Sequence, residues 1–232
     1  MHLPSLTEGV MLKRYKRFFA DVRLPSGEVV VAHVPNTGSM KTCWAPEHKA
    51  LLSRATNPER KLRWTLEVTS TGDNFILVNT ALANKLAFEA LSERRLGPFK
   101  EFDQVLPEQS IRDSRFDFLL KSASSHMWVE VKNVTLMEAP GLVSFPDAVS
   151  TRGQKHLKDL IELKKEGQRC AMLYVASRSD AERFTSAKAI DPEYARLLKE
   201  AQAAGVEVYC YRVEKTGDDY RLETLLPLVS PP

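Results

Sequence analysis

The pattern of hydrophobic residues changes near Asn79, and this change constrains the fold more than any other feature of the sequence. From Val10 to Thr80 the chain consists of short apolar stretches bounded by turn residues, such as "EVVVAHV" between "PSG" and "PNTGSM". Alternation and turn signals of this kind are typical of β-strands, and no stretch here has the periodicity of a helix. About five strands in about 70 residues favour a small closed barrel, so residues 1–80 are predicted to form a β-barrel of OB type.

Helical and strand patterns alternate after this point. The stretch "NTALANKLAFEALSERRLG" predicts a helix capped by Asn79 or Thr80 and ended by Gly97, with two strands joined by a turn after it. Two further helices are predicted within "STRGQKHLKDLIELKKEG" and "DPEYARLLKEAQAA", each followed by an apolar strand. Such alternation is typical of an α/β domain with a mixed sheet, which we assign to residues 81–232.

The composition is that of an ordinary globular protein. The chain has 232 residues, of which 43% are hydrophobic and 27% charged, and this disfavours disordered, coiled-coil and membrane classes. No apolar run reaches the ~18 residues that span a bilayer, and the amino terminus lacks the pattern of a signal peptide, so a cytoplasmic location is predicted. Cys43, Cys170 and Cys210 have no zinc-ligand spacing and are predicted to be reduced, packed thiols.

Three ionisable residues interrupt apolar stretches that otherwise have the composition of buried strands. Asp117 lies in "SRFDFLL", and Glu130 and Lys132 lie in "MWVEVKNV" after a short polar break. Side chains two residues apart in a strand share a face, so Glu130 and Lys132 point to the same side. If the polar break closes a hairpin whose paired residue numbers sum to an odd value, Asp117 lies beside Glu130, with directly opposed Cβ atoms about 5 Å apart.

Two carboxylates at that distance repel each other and resist ionisation in an apolar sheet, and a divalent cation between them removes this conflict. Carboxylate oxygens suit Mg²⁺ (or Mn²⁺), which also binds phosphates and lowers the pKa of a bound water. A nearby lysine can stabilise the pentavalent phosphorane. The pattern therefore predicts metal-assisted phosphodiester hydrolysis, with Asp117 and Glu130 as metal ligands and Lys132 as the catalytic cation.

The acid-x-lysine tripeptide has little meaning without its context. It occurs four times in the chain, beginning at Glu47, Glu59, Glu130 and Glu162. Only the copy at Glu130 lies in an apolar strand that follows another acid-bearing strand. The structural alternative is a cross-strand ion pair between Asp117 and Lys132 on a half-solvated edge, and the pattern by itself leaves both interpretations open.

Glu89 borders the apolar face of the first predicted helix, because Leu82 and Leu86 lie seven and three residues before it. If its carboxylate faces the sheet, Glu89 is an auxiliary catalytic residue and a further metal ligand. The alternative is a solvated carboxylate that pairs with Arg94.

Positive charge is concentrated at the front of the chain, where residues 1–80 hold 11 Lys and Arg against 7 Asp and Glu. The stretch "KRYKRFF" interleaves cations with aromatic rings, a combination with which OB barrels bind single-stranded nucleic acid. A second basic set, which includes His156, opens the helix in "STRGQKH", where free N–H groups also favour phosphate. The candidate nucleic-acid-binding residues are Lys13, Arg14, Tyr15, Lys16, Arg17, Arg152 and Lys155. In both sets the alternative is a solvated polar face.

With these residues identified, the chain resembles the sugar fermentation stimulation protein family. The stretches that carry the resemblance include "LKRYKRFFADV", "AHVPNTGSM", "SRFDFLL", "EVKNVTL" and "FPDAVSTRGQKHL", and the resemblance covers nearly the whole chain. It implies an OB-like first domain and a restriction-endonuclease-like second domain, similar to PD-(D/E)xK nucleases. It also implies a regulatory, DNA-binding role in the use of sugars, notably maltose.

The resemblance assigns the nuclease pattern to particular residues. It implies the first acid at Asp117, the acid-x-lysine at Glu130 and Lys132, and the helix acid at Glu89. The chain departs from the pattern in having Phe116, and no proline, before Asp117. We therefore predict a DNA-binding protein with a Mg²⁺-dependent nuclease site. Two alternatives remain open: a non-enzymatic DNA-binding regulator and a protein-interaction module that binds no nucleic acid.

Overall fold

The computed structural model describes residues 1–231, which contain fifteen strands, three α-helices and one 3₁₀ turn. The first six strands are β1 (Leu6–Tyr15), β2 (Phe19–Arg23), β3 (Val29–His33), β4 (Lys49–Arg54), β5 (Trp64–Thr71) and β6 (Asn74–Leu77). The others are β7 (Gln104–Ile111), β8 (Ser114–Lys121), β9 (His126–Val134), β10 (Leu136–Ala139), β11 (Leu142–Phe145), β12 (Arg169–Ala176), β13 (Arg183–Ser186), β14 (Glu207–Thr216) and β15 (Asp219–Leu226). The helices are α1 (Ala81–Ser92), α2 (Thr151–Lys165) and α3 (Pro192–Ala203), and the 3₁₀ turn spans Gly97–Phe99.

The first five strands form a barrel with the strand order of an OB fold, as predicted, and β6 pairs with β5 outside the ring. The order is β3-β2-β1-β4-β5-β6, and an additional pairing between β3 and β5 closes the ring. This closure is short, because it consists of Ala32 opposite Trp64 and His33 opposite Thr65. The barrel core follows from alternation within the strands: in β3, for example, Val30 and Ala32 face the interior while the valines beside them are exposed.

The second part of the chain is an α/β domain with a mixed sheet, also as predicted. Its sheet has the order β15-β14-β12-β9-β8-β7, with β9, β12 and β14 parallel and the outer strands antiparallel. Helix α1 packs on one face, and α2 and α3 pack on the other. The central strand β12 is covered on both sides, which explains why its sequence is almost continuously apolar. No helix in residues 1–231 is both long and apolar enough to cross a membrane.

The first helix ends five residues before the predicted stop at Gly97. Arg94 adopts a left-handed conformation with φ of 53°, and its N–H donates to the carbonyl of Leu91. The next N–H, that of Arg95, donates to the carbonyl of Ala90, which completes a Schellman motif. The prediction was wrong because an arginine occupies the position that glycine usually takes, while Gly97 instead opens the 3₁₀ turn.

Five strands, β7 to β11, lie between α1 and α2, where the sequence predicted two. Strand β7 is a polar edge strand that contains Pro107, and its pairing with β8 is interrupted at Glu108, where φ is 54°. Proline and polar residues belong at sheet edges, so this strand lacks the apolar alternation on which the prediction depended. Strands β10, β11 and β13 form a separate three-stranded sheet.

Barrel and α/β domain are joined by hydrogen bonds and a shared apolar core. The Leu77 N–H donates to the carbonyl of Ser177 (2.8 Å), and the buried Arg178 donates to the carbonyls of Thr135 (2.8 Å) and Thr42 (3.2 Å). Val68 and Leu77 of the barrel belong to the same core cluster as α1 and one face of the mixed sheet. The interface therefore holds the barrel in a defined position beside the ends of β9 and β12.

Asp191 caps α3 and also holds the start of α2. Its carboxylate accepts hydrogen bonds from the backbone N–H groups of Tyr194 and Ser150, both at 2.9 Å, and from the side-chain amide of Gln154. The residue is only 1% exposed. Because these donors belong to the starts of α2 and α3, Asp191 couples the amino-terminal ends of two helices.

We expect Asp191→Ala to lower the free energy of unfolding by about 3 kcal/mol, because it removes a cap and leaves the buried Tyr194 amide without an acceptor. Urea denaturation followed by circular dichroism measures the loss. Glu193→Ala, which removes a half-exposed side chain in the same helical turn, is the control and should have a much smaller effect. Equal losses in the two variants would contradict the coupling role.

Candidate active site

The hairpin of β8 and β9 brings Asp117 and Glu130 together. Phe118 pairs with Val129, a register with the odd sum that makes Asp117 and Glu130 neighbours. Regular pairing ends there, and the Val131 N–H donates to Asp117 Oδ2 (2.7 Å) instead of to a backbone carbonyl. The side-chain amide of Asn84, on α1, donates to Asp117 Oδ1 (2.7 Å). The Asp117 carboxylate is thus held between a strand and a helix.

Glu130 lies at the centre of a buried polar cluster. It is 2% exposed, and its Oε1 is hydrogen-bonded both to Lys132 Nζ and to His156 Nδ1. Lys132 Nζ also lies 3.3 Å from His156 Nδ1. The lysine therefore pairs with the glutamate of its own strand, and the alternative cross-strand ion pair with Asp117 is not what the structure contains. Glu130 Oε2 has no hydrogen-bond partner within residues 1–231, although it is buried.

The two carboxylates have opposite pKa shifts. Burial opposes ionisation of Glu130, but hydrogen bonds from His156 and Lys132 and their positive charge outweigh it and lower the pKa of Glu130. Burial and then the negative charge of Glu130 raise the pKa of Asp117, in spite of the hydrogen bond from Val131. Glu130 is therefore the more readily ionised member, and ionisation of Asp117 brings two negative charges together in a poorly solvated place.

The residues present fit a hard divalent cation. Two carboxylates and one unpartnered carboxylate oxygen suit Mg²⁺ or Mn²⁺, because Mg²⁺ is commonly bound by one or two carboxylates and keeps several waters. Residues 1–231 contain no group of three or more His, Cys, Asp or Glu side chains arranged for a metal. This donor set is unlike that of a closed zinc site, which needs four protein ligands.

A cleft of about 520 Å³ lies between the barrel and the α/β domain and contains this cluster. One wall comes from the barrel, with Arg17 and the loop that begins at Asn36, and the other from the start of α2, with Arg152. Asp117, Glu130 and Lys132 line the cleft between these walls. Within the described residues neither Arg17 nor Arg152 has an ion-pair partner, so two exposed cations flank the carboxylates.

Glu89 is not brought to this cluster. Its carboxylate accepts from the Met1 amino group (2.8 Å) and from Arg95 (3.0 Å) and does not line the cleft. Helix α1 presents Asn84 to Asp117, and Glu89 lies more than one turn further along the helix. The geometry therefore argues against a metal-ligand role, and the partner of Glu89 is Arg95 rather than the Arg94 of the alternative.

Most of the other predicted nucleic-acid-binding residues have structural partners. Arg14 donates to the backbone carbonyls of Asn36, Gly38 and Ser39, at 3.0 to 3.1 Å, and thereby holds the cleft loop. Lys13 pairs with Asp21, to which Tyr15 also donates. Lys16 is exposed in the turn after β1. Lys155 is hydrogen-bonded to Ser114 and Asp159, outside the cleft.

Two contributors to the site escaped the sequence analysis. Asn84 positions Asp117, but a single asparagine on a helix gives no signal until the helix has been placed against the sheet. Asp147 lines the cleft and lies 3.4 Å from both the Met40 amide and the Ser39 hydroxyl, which ties the barrel loop to the α/β domain. Each of these residues contacts a partner more than thirty positions away in the sequence, and local sequence patterns do not reveal contacts over such distances.

Comparison with known proteins identifies relatives over the whole chain. The family model described as the sugar fermentation stimulation protein RE domain matches residues 81–219, and the SfsA N-terminal OB domain matches residues 12–78. A sugar fermentation stimulation protein homolog from Syntrophotalea carbinolica is 46% identical over 98% of this chain and 99% of its own. A homolog from Geobacter metallireducens is 43% identical over 99% of this chain and 100% of its own.

A solved structure shows a similar fold. The structure of Pyrococcus furiosus SfsA in complex with Ca²⁺ is 25% identical and superposes with a TM-score of 0.89 over 99% of this chain and 98% of that one. The agreement includes both the OB barrel and the mixed sheet that positions Asp117 and Glu130.

The raised pKa of Asp117 predicts a pH-dependent loss of stability in chelator. Between the unfolded carboxyl value of about 3.9 and the raised folded value, the folded state holds more protons than the unfolded state. The contribution of Asp117 to stability is therefore present at low pH and is lost as the pH rises through the folded pKa. Asp117→Asn removes this loss. The free energy of unfolding of the variant should therefore increase relative to that of the wild type as the pH rises.

Urea denaturation in chelator across this pH range measures the difference. Asp113→Asn, an exposed substitution nearby, controls for the removal of one negative charge. A stability difference between Asp117→Asn and wild type that does not change with pH would contradict the coupling of the two carboxylates.

Proposed function

The chain belongs to the sugar fermentation stimulation protein family, and we propose that it binds DNA in the cleft and hydrolyses a phosphodiester bond with a divalent cation held by Asp117 and Glu130. The observation that carries this proposal is the buried Glu130 Oε2, which has no partner in the described chain although Glu130 lines the same cleft as Asp117. Buried polar atoms are nearly always satisfied in native proteins, so an orphan carboxylate oxygen beside a second carboxylate favours a bound cation.

Each residue of the cluster has a distinct part in this proposal. When bound, Mg²⁺ or Mn²⁺ would lower the pKa of a water and polarise the phosphate. Lys132 lines the cleft and supplies a positive charge for the developing charge on phosphorus. His156 and Lys132 together hold Glu130 Oε1, which leaves Oε2 as the free ligand atom. Asn84 and the Val131 amide fix the orientation of Asp117.

The cations that flank the carboxylates fit a polyanionic substrate. Arg17 projects from the barrel side and Arg152 from the start of α2, so phosphates on both sides of a scissile bond would meet a guanidinium. The relative from Pyrococcus furiosus, which shares this fold, was solved in complex with Ca²⁺, another oxygen-ligated divalent cation. This supports a hard-cation site in the present chain.

We expect purified protein to cleave DNA in Mg²⁺ or Mn²⁺ and Lys132→Ala to lower kcat/KM by about 10²- to 10³-fold, because the charge on the transition state loses its counter-charge. Glu130→Gln should abolish cleavage through loss of the metal ligand, and EDTA should do the same for the wild type. Single-stranded, duplex and branched DNA are tested side by side by gel electrophoresis.

Lys164→Ala is the matched control for Lys132→Ala. Lys164 belongs to the acid-x-lysine copy at Glu162. It lies about 20 Å along α2 from the cleft, because an α-helix rises about 1.5 Å per residue. Equal degradation by wild type and Lys132→Ala would identify a contaminating nuclease. Salt-dependent DNA binding without cleavage of any substrate would favour the non-enzymatic regulator, and no DNA binding would favour the protein-interaction module.

The two cleft arginines generate a separate prediction about binding. Arg17→Ala and Arg152→Ala should each weaken DNA binding for all sequences and reduce the dependence of log K on log salt by about one, since each removes one phosphate contact. Fluorescence anisotropy titrations at several salt concentrations measure both quantities. Arg221→Ala, which removes an exposed arginine from edge strand β15, is the control. An equal change in the control slope would refute a localised phosphate path through the cleft.

A further inference from the structure

A predominantly apolar groove of about 610 Å³ adjoins the cleft on the far side of Asp117. It runs between α1 and strands β7 and β8, and the Asn84 and Asp117 side chains line both the groove and the cleft. The hydrogen bond between these two side chains therefore forms the boundary that the two cavities share. A ligand bound in the groove therefore lies directly beside Asp117, which we propose as a metal ligand.

An exposed aromatic ring forms the floor of the groove. Phe88, on α1, is 42% exposed, and its ring centroid lies 6.1 Å from that of Phe118 with a tilt of 33°. The other large apolar side chains of α1, at Leu82, Leu86 and Leu91, are buried in the core. Phe88 therefore presents part of its ring to a groove whose surface is mostly apolar, and a contiguous apolar surface of this kind can mark a binding site.

The rim of the groove has few free negative charges. Glu89 and Glu93 are both paired with Arg95, and Glu108 is paired with Arg115. Lys85 has no ion-pair partner within residues 1–231 and is exposed at the edge of the groove. A flat, uncharged group bearing a phosphate is therefore compatible with the groove, since its ring meets Phe88 and its phosphate can meet Lys85.

We propose that this groove binds an unpaired nucleobase, stacked on Phe88, of the nucleotide next to the scissile phosphate. The inference rests on the proposed function and assigns its substrate class: DNA with a single-stranded or mismatched nucleotide at the cleavage position. A base that stays in a duplex is stacked between its neighbours and cannot lie against a protein ring, so occupation of the groove requires a base that has left the stack. Because every base has a π-face, this contact carries little sequence preference.

The test compares DNA affinities in Ca²⁺, after gel electrophoresis has shown that the oligonucleotides stay intact. The probes are one single strand, the fully paired duplex of the same sequence, and that duplex with one mismatched pair. Phe88→Ala should weaken binding of the single strand and the mismatched duplex by about ten-fold or more, the loss of one base stack, and leave the paired duplex unchanged. Phe88→Trp should retain the wild-type affinities, because indole stacks as well as phenyl.

Leu225→Ala is the control for the removal of exposed apolar surface, because Leu225 is 53% exposed on β15 and lies away from the groove. Unchanged affinity of Phe88→Ala for all three probes, or an equal loss for all three, would overturn the inference while leaving the proposed function intact. An apolar peptide as the natural occupant would give the first of these results. Failure of the wild type to bind any of the probes would overturn the proposed function itself.

A 2-aminopurine scan locates the stacked base independently of affinity. The fluorescence of this base analogue should be quenched at one position of the bound single strand in the wild type, and the quenching should disappear in Phe88→Ala. Identical fluorescence at every position in the two proteins would also count against the stacked base.

Discussion

The hydrogen bond from the Val131 amide to the Asp117 carboxylate is the contact around which the rest of the site is arranged. At this point a side chain replaces the backbone partner that strand β8 would otherwise supply, so β8 and β9 separate. The separation leaves room for the two carboxylates within a sheet that is otherwise packed on both of its faces. The second oxygen of Asp117 is held by Asn84, which fixes α1 against the opening and divides the cleft from the groove behind it.

The pKa values of the two carboxylates shift in opposite directions because their hydrogen-bond partners differ in charge. Glu130 is the more deeply buried carboxylate, yet His156 and Lys132 compensate for its burial and lower its pKa. Asp117 is held by two neutral donors, and its pKa is raised by burial and by Glu130. Oriented carboxylates that are costly to ionise together form an arrangement that a divalent cation stabilises, because the cation adds positive charge beside Asp117, whose own hydrogen-bond donors are neutral.

Local patterns predicted the elements well where a cap or an apolar period was strong. Helix α2 begins after Ser150, whose hydroxyl accepts from the Gly153 amide, and α3 begins after Asp191 with Pro192 in its first turn. The end of α1 was wrong because an arginine adopts the left-handed cap, and β7 was missed because a polar edge strand has no apolar face to detect. The catalytic assignments of Asp117, Glu130 and Lys132 remain predictions, although the structure places these residues together in one cleft.

Sequence by itself determined the order of barrel and α/β domain, and the shared face of Glu130 and Lys132, because strand and helix periodicity act over a few residues. Tertiary structure alone decided which charges are free. Arg14 holds a loop while Arg17 has no ion-pair partner among residues 1–231, and Glu89 binds Arg95 while Asn84 reaches Asp117. These outcomes depend on where α1 and the barrel loop lie relative to the sheet. That position is set by packing and hydrogen bonds between distant segments, for which short-range sequence patterns hold no information.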